Sequence, residues 1–178
     1  MSYVRDHTNE PVIPTNGYYL QSKFFWYDTS PGATEKFPSL DLYAAFFHPI
    51  FLKDSVFLIA RGGSTFGSNG IGTPQFFLGE PGRLSAYGLN ELFGNQYFLG
   101  RVGYLHEVFT LPTFVGKQVY LYAAGEIGKM YGVTADTNLP NDVALGFLAE
   151  TAVGPFFIGG SVGDSGHRKW FFQLGRVF

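Results

Sequence analysis

Few residues of this chain have the types and spacing for covalent chemistry. Asp164-Ser165-Gly166-His167 holds the acid, hydroxyl and imidazole of a nucleophilic triad, but near neighbours in one tight loop cannot converge on each other in the geometry that proton relay requires. A polar loop beside a glycine is the commoner meaning of such residues. Gly62-Gly63-Ser64-Thr65-Phe66-Gly67 sets a serine among glycines, yet it closes an apolar run and does not precede a helix, where a nucleophile elbow belongs. Of the other histidines, His7 and His48 fall beside predicted turns, and His106 lies near a strand end. Cysteine is absent, which removes thiol nucleophiles, disulfides and thiolate metal sites. No zinc-type spacing and no phosphate-binding glycine loop before a helix is present. No catalytic residue, metal ligand or cofactor is therefore assigned, and the chain reads as something other than an enzyme. A net charge of −2 and a pI near 6.0 provide no basic patch for nucleic acid.

The 178 residues fit one domain, residues 1–178. Charged residues make up 15% and aromatic residues 19%, with 20 Phe, 11 Tyr and 24 Gly, whereas ordinary globular domains carry about 25% charge. So little charge with so much Phe leaves more apolar surface than a soluble core of this size can hide. No run of about 18 apolar residues is available for a transmembrane helix. A transmembrane β-barrel satisfies both facts, because only alternate residues face lipid and mean hydropathy, +0.06 here, stays near zero.

Period-two alternation runs through the chain. Leu40, Leu42, Ala44 and Phe46 oppose Asp41 and Tyr43; Val119, Leu121, Ala123 and Ile127 oppose Tyr120, Tyr122 and Glu126; Trp170, Phe172 and Leu174 oppose Lys169 and Gln173. Similar segments begin at Gly17, Ser55, Tyr97, Asp142 and Phe156. About eight antiparallel strands result, each near the 9–11 residues that a tilted membrane strand needs, and no segment shows a helical period. The mid-strand charges Lys23, Asp41, Arg61, Arg101, Glu107, Glu126, Glu150 and Lys169 all share the non-lipid parity, as expected when a charge facing hydrocarbon costs about 2–4 kcal/mol. Four of each sign on one face predicts ion pairs inside the barrel. The solvated faces of a β-sandwich are the competing reading, against which stand strands of unusual length.

Links between strands alternate in length. Those at His48 to Asp54, Phe109 to Lys117 and Gly154-Pro155 are shorter; those at Asp28 to Pro38, Phe66 to Gly94, Tyr131 to Asn141 and Asp164 to Arg168 are mostly longer. Outer-membrane barrels have short periplasmic turns and long external loops, so the C-terminus is expected on the periplasmic side. Tyr18, Trp26, Tyr97, Tyr104, Tyr131 and Trp170 would form the aromatic girdles. Residues 1–6 lack the apolar core of a secretory signal, so the chain is expected to be part of a longer precursor.

Several segments carry a family resemblance. Arg5-Asp6 followed by Pro11, Pro14 and Gly17 resembles the turn that opens a strand in the bacterial surface antigen domain. Leu78-Gly79-Glu80-Pro81-Gly82-Arg83-Leu84-Ser85-Ala86-Tyr87, with Asn90-Glu91-Leu92-Phe93-Gly94, is similar to that domain's long loop, and Leu99 to Tyr104 to the strand after it. This is the superfamily of BamA, TamA and the two-partner-secretion transporters. The resemblance spans essentially the whole chain but only the C-terminal half of the family's sixteen-stranded barrel. It implies a luminal loop motif at Arg83, Leu84, Ser85, Ala86, Tyr87, Asn90 and Glu91. The family's loop carries an Arg that reaches a luminal acid; here Ser85 fills that place, with Arg83 two residues earlier. In this form the chain is most similar to the barrels of patatin-like phospholipases, in which an upstream lipase domain is tethered to the outer membrane. The ending Trp170, Phe172, Leu174 and Phe178 resembles the signal read by the barrel-assembly machinery, an edge that adds to a template strand.

The expected function is a protein translocator, an assembly pore or a membrane anchor for a passenger, in the outer membrane of a Gram-negative bacterium, in contact with lipids and lipopolysaccharide. The alternative is a small structural or lipid-modifying barrel. Eight strands can close alone around side chains such as Tyr19, Phe25, Tyr43, Phe57, Tyr120 and Tyr122, leaving the long loop no room. Two copies can instead form one sixteen-stranded homodimeric barrel, the arrangement this reading favours. Replacing Phe178 by Asp is expected to reduce the folded, heat-modifiable species on cold gels, whereas a change at Gln173 leaves it near wild type. Equal mobility for wild type and the Phe178→Asp chain would overturn the terminal signal.

Overall fold

The computed structural model describes residues 1–28, 36–67, 75–112, 114–132 and 139–175. Alternation becomes strand throughout: β1 Ser2–Asp6, β2 Gly17–Tyr27, β3 Phe37–Phe51, β4 Asp54–Ser64, β5 Phe76–Leu78, β6 Leu92–Gly94, β7 Gln96–Thr110, β8 Gly116–Tyr131, β9 Asn141–Thr151, β10 Gly154–Gly163 and β11 Arg168–Leu174. One 3-10 turn, Asp164–Gly166, separates the last two. The eight strands expected from alternation are β2, β3, β4 and β7 to β11. β1 is an addition, five residues that are all exposed and too short to show a period. β5 and β6 are three-residue strands that pair inside the long link between β4 and β7.

Nine strands form a single antiparallel sheet in the order β1-β2-β3-β4-β7-β8-β9-β10-β11. No second large sheet packs on it among the described residues, so the β-sandwich reading fails. Because every neighbouring pair is antiparallel, β1 and β11 run in the same direction and β2 and β11 in opposite directions. Neither end strand has an outer partner among the described residues.

Register places large apolar residues in rows on one face. Phe46 stands opposite Leu58, and Leu58 opposite Val102. Leu121, Phe147, Ile158 and Phe172 form another row across four strands, and they remain 39%, 49%, 46% and 63% exposed. The other face is buried against itself. Its core joins Phe47, Phe57, Leu105, Tyr122, Leu148, Phe157 and Phe171, from β3 across to β11. A single layer buries one face in this way only by curling, with that face concave. Gly103 stands between Phe57 and Ala124 in register; a Cβ there would come within 2.2 Å of the Phe57 ring, which stacks on the Tyr122 ring at 5.7 Å.

The link at residues 7–16 folds over the concave face. Ile13 enters the core at 2% exposure, and Glu10 meets Lys117 at the start of β8 at 3.3 Å. Two placements depart from the alternation reading. Phe25 keeps the inner parity but is 48% exposed at its strand end. Tyr97 is not an outward girdle residue: it is buried on the concave face and donates to Asp41 at 2.7 Å.

Candidate functional site

All eight mid-strand charges lie on the concave face, but most are held by other partners than each other. Arg101 and Glu126, cross-strand neighbours on β7 and β8, have side chains with no exposure and approach to 3.8 Å. Glu150 pairs instead with Lys117 at 3.0 Å. Asp41 takes the Tyr97 hydroxyl, Arg61 lies over the Tyr43 ring at 4.3 Å, and Glu107 accepts from Thr110 at 3.3 Å. Lys23 stands across from Asp41 in register. Lys169 donates to the Tyr87 carbonyl at 2.9 Å. The expected network of ion pairs among the eight thus reduces, among the described residues, to Arg101 with Glu126, and Lys117, Thr110, Tyr97, Tyr43 and the Tyr87 carbonyl meet most of the others.

The next register position adds a carboxylate that the charge sorting left out. Asp142 on β9 faces Glu126 on β8 directly, and both are buried. Like charges directly opposite are unfavourable, and carboxylates away from water need donors. The link between β4 and β7 supplies them. Its β5–β6 hairpin base carries residues 79–91 across the concave face of β7 to β11. There the Ser85 N–H donates to Glu126 Oε2 at 2.7 Å, the Ser85 hydroxyl to the same oxygen at 3.0 Å, and the Ala86 N–H to Asp142 Oδ2 at 2.7 Å. Each such bond contributes about 0.5–1.5 kcal/mol with a neutral acid and about 1.5–3 kcal/mol with an ionised one.

Local turns preorganise these donors. The Gly79 N–H donates to the Arg83 carbonyl at 2.8 Å, and the Gly82 N–H to the Ser85 hydroxyl at 2.8 Å. Gly79 has φ +111°, and a Cβ there would overlap the Gly88 carbonyl. Leu84 holds φ 62° although wholly buried, and Asn90, exposed, holds φ 56°, a region that Asn tolerates. Arg83 does not take the place of the family's Arg: it pairs with Glu80 at 2.9 Å and lies 5.9 Å from the Tyr97 ring.

The far end of the loop is clamped by residues that looked like a spoiled triad. The Tyr87 hydroxyl bonds Asp164, and its ring stacks on His167 at 4.2 Å. His167 Nδ1 donates to the Asp164 carbonyl at 2.9 Å, and Nε2 meets Glu91 at 3.1 Å. Both ring nitrogens are thereby directed away from Ser165. The alternation reading missed Asp142, Asp164 and His167 as loop anchors; the inner parity of Asp142, beside Glu126, is the signal that points to it. Trp170, Phe172 and Leu174 are exposed on the opposite, convex face of β11, while Phe178 lies outside the described residues.

Fold and site together define a curled, single-layer antiparallel sheet with a carboxylate-anchored loop across its concave face. No protein-family model matches the chain, and a comparison with curated proteins finds no match.

Glu126→Ala leaves the Ser85 N–H and Arg101 buried without this acceptor, so a loss of about 3–5 kcal/mol is expected. Urea unfolding of the purified chain measures it, and a change below 1 kcal/mol would contradict the anchoring role. The clamp also depends on pH. Hydrogen bonding to the Asp164 carbonyl outweighs burial and, with Glu91, holds His167 above its ordinary 6.5. Burial would raise Glu91 above 4.5, but the Gly88 N–H and His167 hold it below. A raised histidine stabilises fully below 6.5 and less as pH climbs through its folded value; a lowered carboxyl stabilises fully above 4.5 and less as pH falls through its own. Amide exchange of residues 79–91, corrected for intrinsic rate, is therefore expected to be slowest between about 4.5 and 6.5. A pH-independent protection factor would exclude the clamp.

Proposed function

We propose that the chain is an outer-membrane β-barrel module of a Gram-negative bacterium, acting as a translocator or assembly pore, or as the membrane anchor of a passenger domain. One observation carries this reading. Large apolar side chains lie open in rows on the convex face, and the eight mid-strand charges sorted by parity lie on the concave face. Large contiguous apolar surfaces mark interfaces with protein or membrane, and strand rows of this kind match the apolar outside and polar inside of a lipid-embedded barrel.

Lipid also sets a demand on the sheet ends, because open backbone edges are not tolerated in hydrocarbon. β2 and β11 run in opposite directions, as a closing antiparallel junction requires; β1, at five residues, is too short to cross, and a junction on β2 would displace it from Tyr19 to Lys23. A second copy meets that demand, with eight long strands from each chain forming one barrel of sixteen. A concave face already occupied by residues 7–16 and 79–91 favours this wider barrel over closure of one chain on itself. In this setting β11 is the edge offered to the barrel-assembly machinery, the C-terminus is periplasmic, and lipids and lipopolysaccharide cover the convex face. The patatin-like resemblance makes an upstream lipase domain one candidate passenger.

Single cysteines at Leu121, Leu145 and Phe172 in outer-membrane preparations are expected to resist a membrane-impermeant thiol reagent, whereas one at Glu150 reacts. Ready labelling of the first three would sink the membrane assignment. Native mass spectrometry in mild detergent tests the second copy: a sole species at 19.7 kDa across concentrations would refute it and leave the labelling result intact.

A further inference from the structure

The concave face is unevenly filled. Residues 79–91 cover its β7 to β11 side, but over β2 to β4 a cavity of about 330 Å³ remains beneath the link at residues 7–16. Lys23, Arg61 and Arg83 line it, as do two acids, Asp6 and Asp41. Both acids are engaged locally. Asp41 accepts from the Tyr97 hydroxyl at 2.7 Å, and Asp6 accepts from the Thr8 N–H and hydroxyl at 2.9 and 2.7 Å. Arg83 has Glu80 at 2.9 Å, yet its Nε is buried with no hydrogen-bond partner.

Arg61 is the unmatched group. Among the described residues no carboxylate lies within ion-pair distance of it, its guanidinium rests on the Tyr43 ring, and its Nε too is buried with no hydrogen-bond partner. Arg83 and Arg101 add like charge around it. A cation taken out of water without a counter-charge is costly, and the rest of the concave face avoids that situation by pairing Arg101 with Glu126 and Lys117 with Glu150. The guanidinium fork matches the oxygens of a tetrahedral or planar oxyanion. Cations from two strands and the loop converging on one cavity favour the more highly charged phosphate over a single carboxylate.

We propose that this cavity binds a phosphate group, with Arg61 as its principal ligand and Lys23 and Arg83 as flanking cations. The group can arrive as free phosphate or on a lipid headgroup; the recognition chemistry is the same. The site goes beyond the membrane reading and does not rest on it, since the cavity lies on the concave face whatever covers the convex one.

Isothermal titration of the full folded chain with inorganic phosphate, and separately with a short-chain phosphatidylglycerol below its micelle concentration, tests the site. Saturable binding is expected, weakened about tenfold or more in Arg61→Gln, partly retained in Arg61→Lys, and unchanged in Lys53→Gln at an exposed turn. Binding of phosphate alone identifies a free anion, binding of the lipid alone a headgroup, and binding of both a site that reads the phosphate whatever its carrier. If Arg61→Gln does not fold, Lys23→Gln carries the test, with a loss of about threefold or more expected. No binding of either probe, or unchanged affinity in the folded variant, overturns the proposal.

Discussion

Two carboxylates facing each other across β8 and β9 set the terms for the rest of the molecule. Glu126 and Asp142 are directly opposed and buried, an arrangement that repels unless donors reach both. Arg101 stands on one side, and the N–H groups of Ser85 and Ala86 arrive from above. The loop is therefore no ornament on the sheet. Without it the two strands would hold a facing pair of buried acids short of donors; without the acids the loop would lose the acceptors that hold it across the concave face.

The second constraint is that one layer of strands has to bury a face with nothing packed behind it. Curling solves this by bringing Phe57, Tyr122, Phe157 and Phe171 into one cluster, and the convex face pays for the curvature by keeping its apolar rows open. The concave face ends up in two halves: one closed by the loop and its carboxylates, the other a cation-lined cavity. The polarity of that division follows from register, since a one-residue slip would exchange the two faces of every strand.

Alternation made the eight long strands legible, because period two survives wherever one face is apolar and the other mixed. It could not show β1, in which five exposed residues pair with β2 without any period, nor the short β5 and β6, whose pairing depends on the loop's docking. It sorted all eight charges onto one parity, but the ion pairs it expected among them come down to Arg101 with Glu126. Pairing by sign counts charges, whereas the fold lets Tyr97, Tyr43 and backbone carbonyls compete for them. Tyr97 was misassigned for the same reason: a tyrosine at a strand end serves equally as an interfacial ring or as a buried donor, and only the position of Asp41 decides between them. The clamp at Tyr87 was hidden because Asp164 and His167 lie 77 and 80 positions further along the chain.

The loop's grip has a consequence for how this sequence can change over time. Two of its three bonds to Glu126 and Asp142 come from main-chain N–H groups, which every residue but proline possesses. Positions 85 and 86 are thus constrained in bulk and backbone shape more than in chemical identity, while the two acids they meet are not interchangeable with neutral residues. Drift can erase the side-chain pattern of the loop and leave its attachment intact, so relatives of this chain are better sought through the spacing of the paired acids than through the letters of the loop.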